Sequence, residues 1–547
     1  MEKDGQISEN ITSNISGYLR KNADVSPDKP ALLNPERISY RELDAEVDRY
    51  SFFLEKSGIK PGTKTILMVP AGPEMLYITF ALFRISAIPV MIDPGMGIRA
   101  LLKALEGVNA EAFIGIPKAH LLILIRPSVF RNVKIRLTTA GCWFPGVKKI
   151  IKYSEAERMI YPALKDDPGR MAAIFFTSGS TGLAKGVVYT AGMLNHQVSR
   201  TKEIFNIGSD AIDLCTFPLL GLFAICHGNS SVIADMDMIH PARIDPARVT
   251  KNITDFGCTQ MFGSPMILNR LSRYWNIHGI RTGTLSLVVT AGAPVQFKIL
   301  EEFNRFSGSE TGIHTPYGAT EALPVTDITY PELKILSDRP VSENGICLGH
   351  PVKGLDVRII KITDDPIRVW DRTLLLSDGQ VGEIAVKGPW VSTEYFNNSD
   401  ANRLSKIPDP ADDTIWHRMG DVGKADEDGR IWFYGRKAHR VITRSGTLFT
   451  IPCEAVYNAH PLVSRSALVG VPSRDGNYKQ PVICIQLEPG NRPSKFLREE
   501  LMQMGRSNRL TEEISMILFF KSFPVDPRHN AKIFREKLAL KAEKRVR

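Results

Sequence analysis

The sequence predicts an α/β protein: a large N-terminal domain of mixed and parallel sheets flanked by helices, followed by a small α+β domain. Three observations carry this. The chain has 547 residues, more than a single hydrophobic core ordinarily spans. Through the first half, apolar β-branched runs alternate with helical stretches, the pattern of parallel strands covered by helices. From about Gly382 the runs shorten and are bounded by glycines, as antiparallel strands are, and the C-terminal stretch mixes strands with helices.

The elements follow in order. "TKTILMVPA" reads as a strand, "GPEMLYITFALFRIS" as a helix with apolar residues at helical spacing, and "AIPVMIDPG" as the next strand and its turn. "LSLVVTAGAP" (Leu285–Pro294) is a buried strand ending in a loop. "GEIAVKG", "GRIWFYGR" and "RVITRSGTLFT" are short strands with tight turns. "SALVGVP" and "PVICIQLEPG" are strands of the last domain, and "SKFLREELMQM" and "KIFREKLALKAEK" its helices. The joint is expected just after Arg436, giving domains 1–436 and 437–547. Ligands of parallel α/β sheets sit beyond the carboxyl ends of the strands.

Composition narrows the function classes. An apolar fraction of 43% and a charged fraction of 23% are ordinary for a soluble globular protein. The formal net charge of +10 fits a solvated basic face, an anionic substrate or a membrane surface. No zinc-finger spacing or RNA-binding signature supports a nucleic-acid partner. The seven cysteines (Cys142, Cys215, Cys226, Cys258, Cys347, Cys453, Cys484) are scattered, odd in number and without a C-x-x-C pair. That pattern argues against a disulfide framework or zinc site and for a reducing cytoplasm. The polar start "MEKDGQISEN" is no secretory signal, and the most apolar region is broken by Glu74, Arg84 and several Pro and Gly, so no transmembrane span is expected.

Residues 112–154 contain no acidic side chain, while Lys118, Arg126, Arg131, Lys134, Arg136, Lys148, Lys149 and Lys152 interleave with "LLILI" and "CWFPG". Two readings fit: a buried strand and helix with solvated lysines, or a peripheral contact with an anionic membrane.

The segment richest in chemistry is "FFTSGSTGLAKGVVYT", Phe175–Thr190. It sits between two strand-like runs, which argues against a linker. Lys185 lies at the Walker A distance from Gly179, but Ala184 stands where that motif needs glycine and Gly186 where it needs a hydroxyl. The three-glycine dinucleotide spacing fails as well. What remains is still a phosphate cradle. Gly179 and Gly182 let backbone N–H groups turn toward one anion, Thr177, Ser178, Ser180 and Thr181 offer hydroxyls, and Lys185 a positive charge.

This loop resembles the signature loop of the adenylate-forming superfamily of acyl-CoA ligases, luciferases and peptide-synthetase adenylation domains. Further motifs follow in the same order over nearly the whole chain. "TAGAP" (Thr290–Pro294) resembles the adenine-pocket segment, which implicates Gly292, Ala293 and Pro294. "TPYGATE" (Thr315–Glu321) is similar to the next motif: Tyr317 would stack on adenine, Gly318 and Ala319 would line the nucleotide, Thr320 would touch phosphate and Glu321 would hold Mg²⁺. "MGDVG" places Asp421 on the ribose hydroxyls, "YGR" supplies Arg436 next to the hinge, and "HNAKIFREKL" supplies Lys532 as the mobile catalytic lysine. The resemblance thus implies ATP and Mg²⁺ as cofactors, a catalytic set of Lys532, Glu321 and Thr181, and a small domain that swings to close the site.

Two departures stand out. The hinge reads "GRKAHRVI", so the pivot is Ala438 or His439. The Pro-Leu-Phe-His segment of many acyl-CoA ligases reads "PLLG" (Pro218–Gly221), without the histidine. "VMIDPGMGI", "FPLLGLF", "IADMDMIHPARIDP", "TPYGATEALPV" and "FPVDPRHNAKIFREKLA" resemble the β-lactone synthetases of olefin biosynthesis. That likeness implies a long-chain 2-alkyl-3-hydroxy fatty acid, adenylated at its carboxylate and closed to a β-lactone by its own hydroxyl. It also implies assembly with other enzymes of the olefin pathway. His196, His227 and His240 are candidates for the base. A long-chain acyl-CoA ligase is the alternative.

Overall fold

Strands form where β-branched and aromatic residues cluster between Gly, Pro and Asp, and the helices between them carry their apolar stripe inward. The computed structural model describes residues 14–141, 144–150, 160–162, 167–177, 184–473, 478–525 and 533–546. Two sheets are built largely from parallel strands. In one, Lys64–Met68, Ile88–Ile92, Ala112–Gly115 and Ile135–Thr138 run parallel, and Met171–Thr177 joins Ile88–Ile92 in parallel before pairing antiparallel with Lys185–Thr190. In the other, Gly312–His314, Leu287–Val289, Gln260–Phe262, Ile212–Cys215, Ser230–Ile233 and Pro30–Leu32 run parallel, with Ile38–Ser39 antiparallel at the edge. The helix Pro73–Arg84, opened by a proline at its first turn, buries Ile78, Phe80, Ala81 and Leu82 completely between these layers.

The third sheet has eight strands and is antiparallel. The sequence places the start of this section near Gly382, whereas the structure begins it at Tyr317–Ala319 and runs it through Ala322–Asp327, Ile346–Pro351 and Asp356–Ile360. Pro324, Gly349 and Pro351 interrupt those strands and hide their alternation. The buried strand expected over Leu285–Pro294 shortens to Leu287–Val289.

The small C-terminal domain packs a three-stranded sheet, Val463–Pro472, Lys479–Leu487 and Met516–Phe519, against the helices Thr450–Asn458, Lys495–Arg506 and Arg535–Val546. It has its own apolar cores, one around Tyr457, Leu468 and Leu501 and one around Val469, Cys484 and Leu538. Among the described residues, no helix is long and apolar enough to cross a membrane, and the described cysteines are free and buried.

Candidate active site

The segment expected to cradle phosphate joins two antiparallel strands, with Thr177 opposite Lys185 in register. Ser178, Gly179, Ser180, Thr181 and Gly182 lie outside the described residues, and Thr177 is described in its backbone only. The segment Glu394–Phe396 runs alongside the second strand: the Val188 amide donates to the Glu394 carbonyl at 3.2 Å and the Phe396 amide to the Gly186 carbonyl at 2.7 Å. Tyr395 is thereby placed at the foot of the loop, with the Lys185 ammonium 4.7 Å from its ring centre. Burial pulls the Lys185 amine below its ordinary value, against the pull of the Glu321 carboxylate.

The adenine-type loop and the Tyr317 motif leave the ends of neighbouring parallel strands, because Val289 pairs with His314. Gly292 sits at φ +93°, where only glycine is unstrained. Ala293 and Pro294 follow it in the same loop. Thr290 is 2% exposed, and its hydroxyl has no partner among the described residues. Two residues past His314, the chain turns into a tight antiparallel pair, Tyr317–Ala319 with Ala322–Asp327. Gly318 is required there, since a Cβ would lie 2.6 Å from the Ala322 carbonyl oxygen. The Thr320–Glu321 turn is held from behind. The Tyr189 hydroxyl donates to the Thr320 carbonyl at 2.5 Å, and the Ser392 amide to the Glu321 carbonyl at 2.8 Å.

Asp421 and Arg436 face each other across adjacent strands. Tyr317 donates its hydroxyl to Asp421 Oδ2 at 2.6 Å, and Arg436 Nη1 donates to Asp421 Oδ1 at 2.7 Å. Burial and then the Asp421 charge push the Tyr317 phenol well up, while the Asp421 charge holds the Arg436 guanidinium firmly protonated. A carboxylate offers about four lone-pair directions, so Asp421 keeps capacity for a vicinal diol. The structure therefore brings Tyr317, Asp421 and Arg436 into contact, with Glu321 and Lys185 grouped around Tyr395.

Lys532 lies outside the described residues. Its flanks are fixed: Val525 bridges Ile533, and Arg535 grips the buried Glu454 carboxylate at 2.5 and 3.0 Å. At the expected hinge, Lys437–His439 form one short helical turn. Lys437 Nζ sits 3.0 Å from the fully buried Glu383. His439 Nε2 lies 3.3 Å from Glu536 Oε1, and burial pushes its imidazole down to about 4.

Three residues in this region carry no sequence signal. Tyr395 donates its hydroxyl to Glu321 Oε1 at 2.6 Å. Lys406 is buried, donates to the Ser392 carbonyl, and is pushed down to about 7 by that burial. His417 pairs with Lys406 in the ladder and is kept neutral by burial. Of the histidines chosen from sequence, His227 is interior, with Nε2 2.8 Å from the Val198 carbonyl and its imidazole pushed down to about 4 by burial. His240 pairs with Asp237 at 2.7 Å on the surface. His196 is half-buried on the helix Ala191–Ile204.

A narrow cavity opens between the helices Ala191–Ile204 and Pro218–His227 and the strand Leu287–Val289. It is lined chiefly by Phe205, Leu220, Phe223, Met261, Phe262 and Val289. Asp213 lies at its wall, with Gln260 donating to it at 3.2 Å, and burial raises its carboxyl to about 7. Between about pH 4 and pH 7 the folded state therefore keeps a proton that the unfolded chain has released, so this group lowers stability as the pH rises. Asp213→Asn is expected to be more stable than wild type by a few kcal/mol at pH 8. The advantage vanishes near pH 4, and urea midpoints across that range measure it.

The chain matches the family model described as AMP-binding enzyme over residues 19–396. It is 39% identical to the olefin beta-lactone synthetase of Xanthomonas campestris pv. campestris, covering 97% of this chain and 98% of that one. It is 38% identical to the olefin beta-lactone synthetase of Stenotrophomonas maltophilia, with the same coverage of each. In fold it is similar to the amide bond synthetase McbA from Marinactinospora thermotolerans, with a TM-score of 0.78 and 20% identity over 96% of this chain and 99% of that one. On the family match and these full-length relatives, the chain belongs to the AMP-binding enzyme family and is an adenylate-forming, AMP-releasing ligase.

Proposed function

We propose that this ligase uses ATP and Mg²⁺ to activate the carboxylate of a long-chain 2-alkyl-3-hydroxy fatty acid and then closes the acyl adenylate to a β-lactone. The observation that carries the reading is the match to two olefin beta-lactone synthetases over 97% of this chain. In the first step the substrate carboxylate attacks the α-phosphate, and pyrophosphate leaves. In the second the substrate's 3-hydroxyl oxygen attacks the acyl carbon, AMP leaves, and the hydroxyl proton passes to solvent or a base. An internal hydroxyl has a high effective molarity, so no CoA is needed. The segment Pro218–Gly221 agrees with this. A Cβ at Gly221 would lie 2.5 Å from Cys215 Sγ, so the position has no room for a histidine side chain.

In this reading the loop 177–182 and Lys185 hold the departing phosphates. Gly292–Pro294 and Tyr317 hold adenine, Asp421 holds the ribose, and Lys532 stabilises charge at the α-phosphate. Mg²⁺ is commonly held by one or two carboxylates together with substrate phosphates. Glu321 fits that role, because its Oε1 is occupied by Tyr395 while the carboxylate retains accepting capacity. Bound there, Mg²⁺ would neutralise charge on the phosphates. The boundary after Arg436 divides residues 1–436 from a small domain, 437–547, that closes over the nucleotide. The free, buried cysteines among the described residues support a cytoplasmic setting.

The apolar cavity takes the alkyl chain. Val289→Phe, one residue before the adenine-type loop, is expected to raise KM for a long-chain acid by about tenfold or more, and to leave a short-chain 3-hydroxy acid nearly unaffected. Equal effects on both would remove the cavity from the acyl path. Contact with an anionic membrane is supported by the helix Leu121–Ile125, which leaves Leu124 at 65% and Ile125 at 56% exposure just before Arg126. Co-sedimentation with anionic vesicles at low salt is expected, and its absence would discard the contact.

A further inference from the structure

Around Glu321 stand Lys185 of the signature loop and three side chains outside the motifs named above, Tyr395, Lys406 and His417. The phenol of Tyr395 donates to Glu321 Oε1 at 2.6 Å. The ring of Tyr395 takes two ammonium groups, Lys185 at 4.7 Å and Lys406 at 5.1 Å from its centre. His417 meets it edge-on at 6.2 Å. The backbone of Tyr395 is fixed as tightly. Its amide donates to Asn402 Oδ1 at 2.6 Å, Asn402 Nδ2 donates back to its carbonyl at 3.1 Å, and it bridges Val187 in the strand that follows the phosphate loop.

Lys406 is the less expected member. It is only 7% exposed, and the hydrogen bond recorded for its ammonium goes to the Ser392 carbonyl. The Ser392 amide in turn holds the Glu321 carbonyl at 2.8 Å. Burying an ammonium is expensive unless charge and hydrogen bonds compensate it. Here the compensation comes from a ring face, a carbonyl and the nearby Glu321 charge. A cation against the face of a phenol also polarises it and strengthens its O–H as a donor. Tyr395, Lys406 and Ser392 thus form a bracket behind one oxygen of Glu321, and Ser405 also hydrogen-bonds the Tyr395 phenol.

We infer that Tyr395 is a positioning residue for the metal-binding carboxylate: it fixes one oxygen of Glu321 and leaves the other to the cation, and Lys406 fixes Tyr395. This rests on the reading of Glu321 as the metal ligand. Tyr395→Phe keeps the ring and removes the donor. It is expected to raise the Mg²⁺ concentration for half-maximal pyrophosphate release by about tenfold or more, as loss of a partner behind a metal ligand commonly does. Calorimetry should show weaker binding of Mg·ATP and unchanged binding of ATP in EDTA. Lys406→Met should shift both in the same direction by less. If that variant fails to fold, Tyr395→Phe carries the test alone.

A wild-type Mg²⁺ dependence in Tyr395→Phe would overturn the inference. So would an equal loss of affinity for ATP with and without Mg²⁺, the mark of a merely structural role. Glu321→Gln, measured alongside, separates the two levels. If it too leaves the Mg²⁺ dependence unchanged, the reading of Glu321 as metal ligand falls. If it shifts while Tyr395→Phe does not, only the positioning role falls.

Discussion

Lys532→Ala lowers the rate of ATP-dependent pyrophosphate release by about 10²–10³-fold, the usual effect of removing one charge-stabilising donor from a transition state. The reason is electrostatic. A carboxylate approaching the α-phosphate brings anion to anion, and negative charge accumulates on the phosphate oxygens as the bond forms. Lysine supplies a compact cation on a long stem, suited to arriving late with a closing domain. ATP binding should change little, because the residues proposed to hold adenine and ribose, Gly292–Pro294, Tyr317 and Asp421, precede Arg436. The anchor for this lysine is already in place: Arg535, three residues on, is clamped to the buried Glu454. Turnover surviving in Lys532→Ala would show that another group bears the charge.

Glu383→Ala destabilises the large domain by about 3–5 kcal/mol, because it strands buried cations. Glu383 and Arg418 are each 1% exposed in their side chains and 2.6 Å apart. Arg418 also donates to the carbonyls of Thr363, Asp365 and Leu404, so its guanidinium cannot move out to solvent without breaking them. Lys437, the first residue after Arg436, closes on the same carboxylate at 3.0 Å. One buried Glu thus ties the strand that carries Asp421 to the entrance of the small domain. Urea unfolding should show the loss, and pyrophosphate release should fall with it as Asp421 loses its support. A midpoint shift equivalent to less than about 1 kcal/mol would mean that Arg418 and Lys437 are sufficiently compensated by their remaining carbonyl partners.

The segments that make up the candidate site are legible in sequence where their chemistry is local. Ala184 and Gly186 exclude a Walker A loop without any structure. Gly292 marks backbone at a positive φ that strains other residues, and Gly318 a position where a Cβ would not fit. Tyr317, Asp421 and Arg436, named from separate motifs, do meet in space. What escaped was set by tertiary pairing. Tyr395 reaches Glu321 only because its strand-like segment lies against Val187. Lys406 is buried because the short strand Lys406–Asp409 pairs with Thr414–Ala425, and a lysine in such an alternating stretch reads as solvent-facing. The early start of the antiparallel sheet escaped for a similar reason, since Pro324 and Gly349 break the pattern that would announce it.

The proposed reaction closes the ring without a thiol. The direct measurement is NMR analysis of products formed from a synthetic long-chain 2-alkyl-3-hydroxy acid with ATP and Mg²⁺ and no CoA. A β-lactone with stoichiometric AMP and pyrophosphate is the expected product. Turnover that appears only when CoA is added, with an acyl thioester as product, would contradict it.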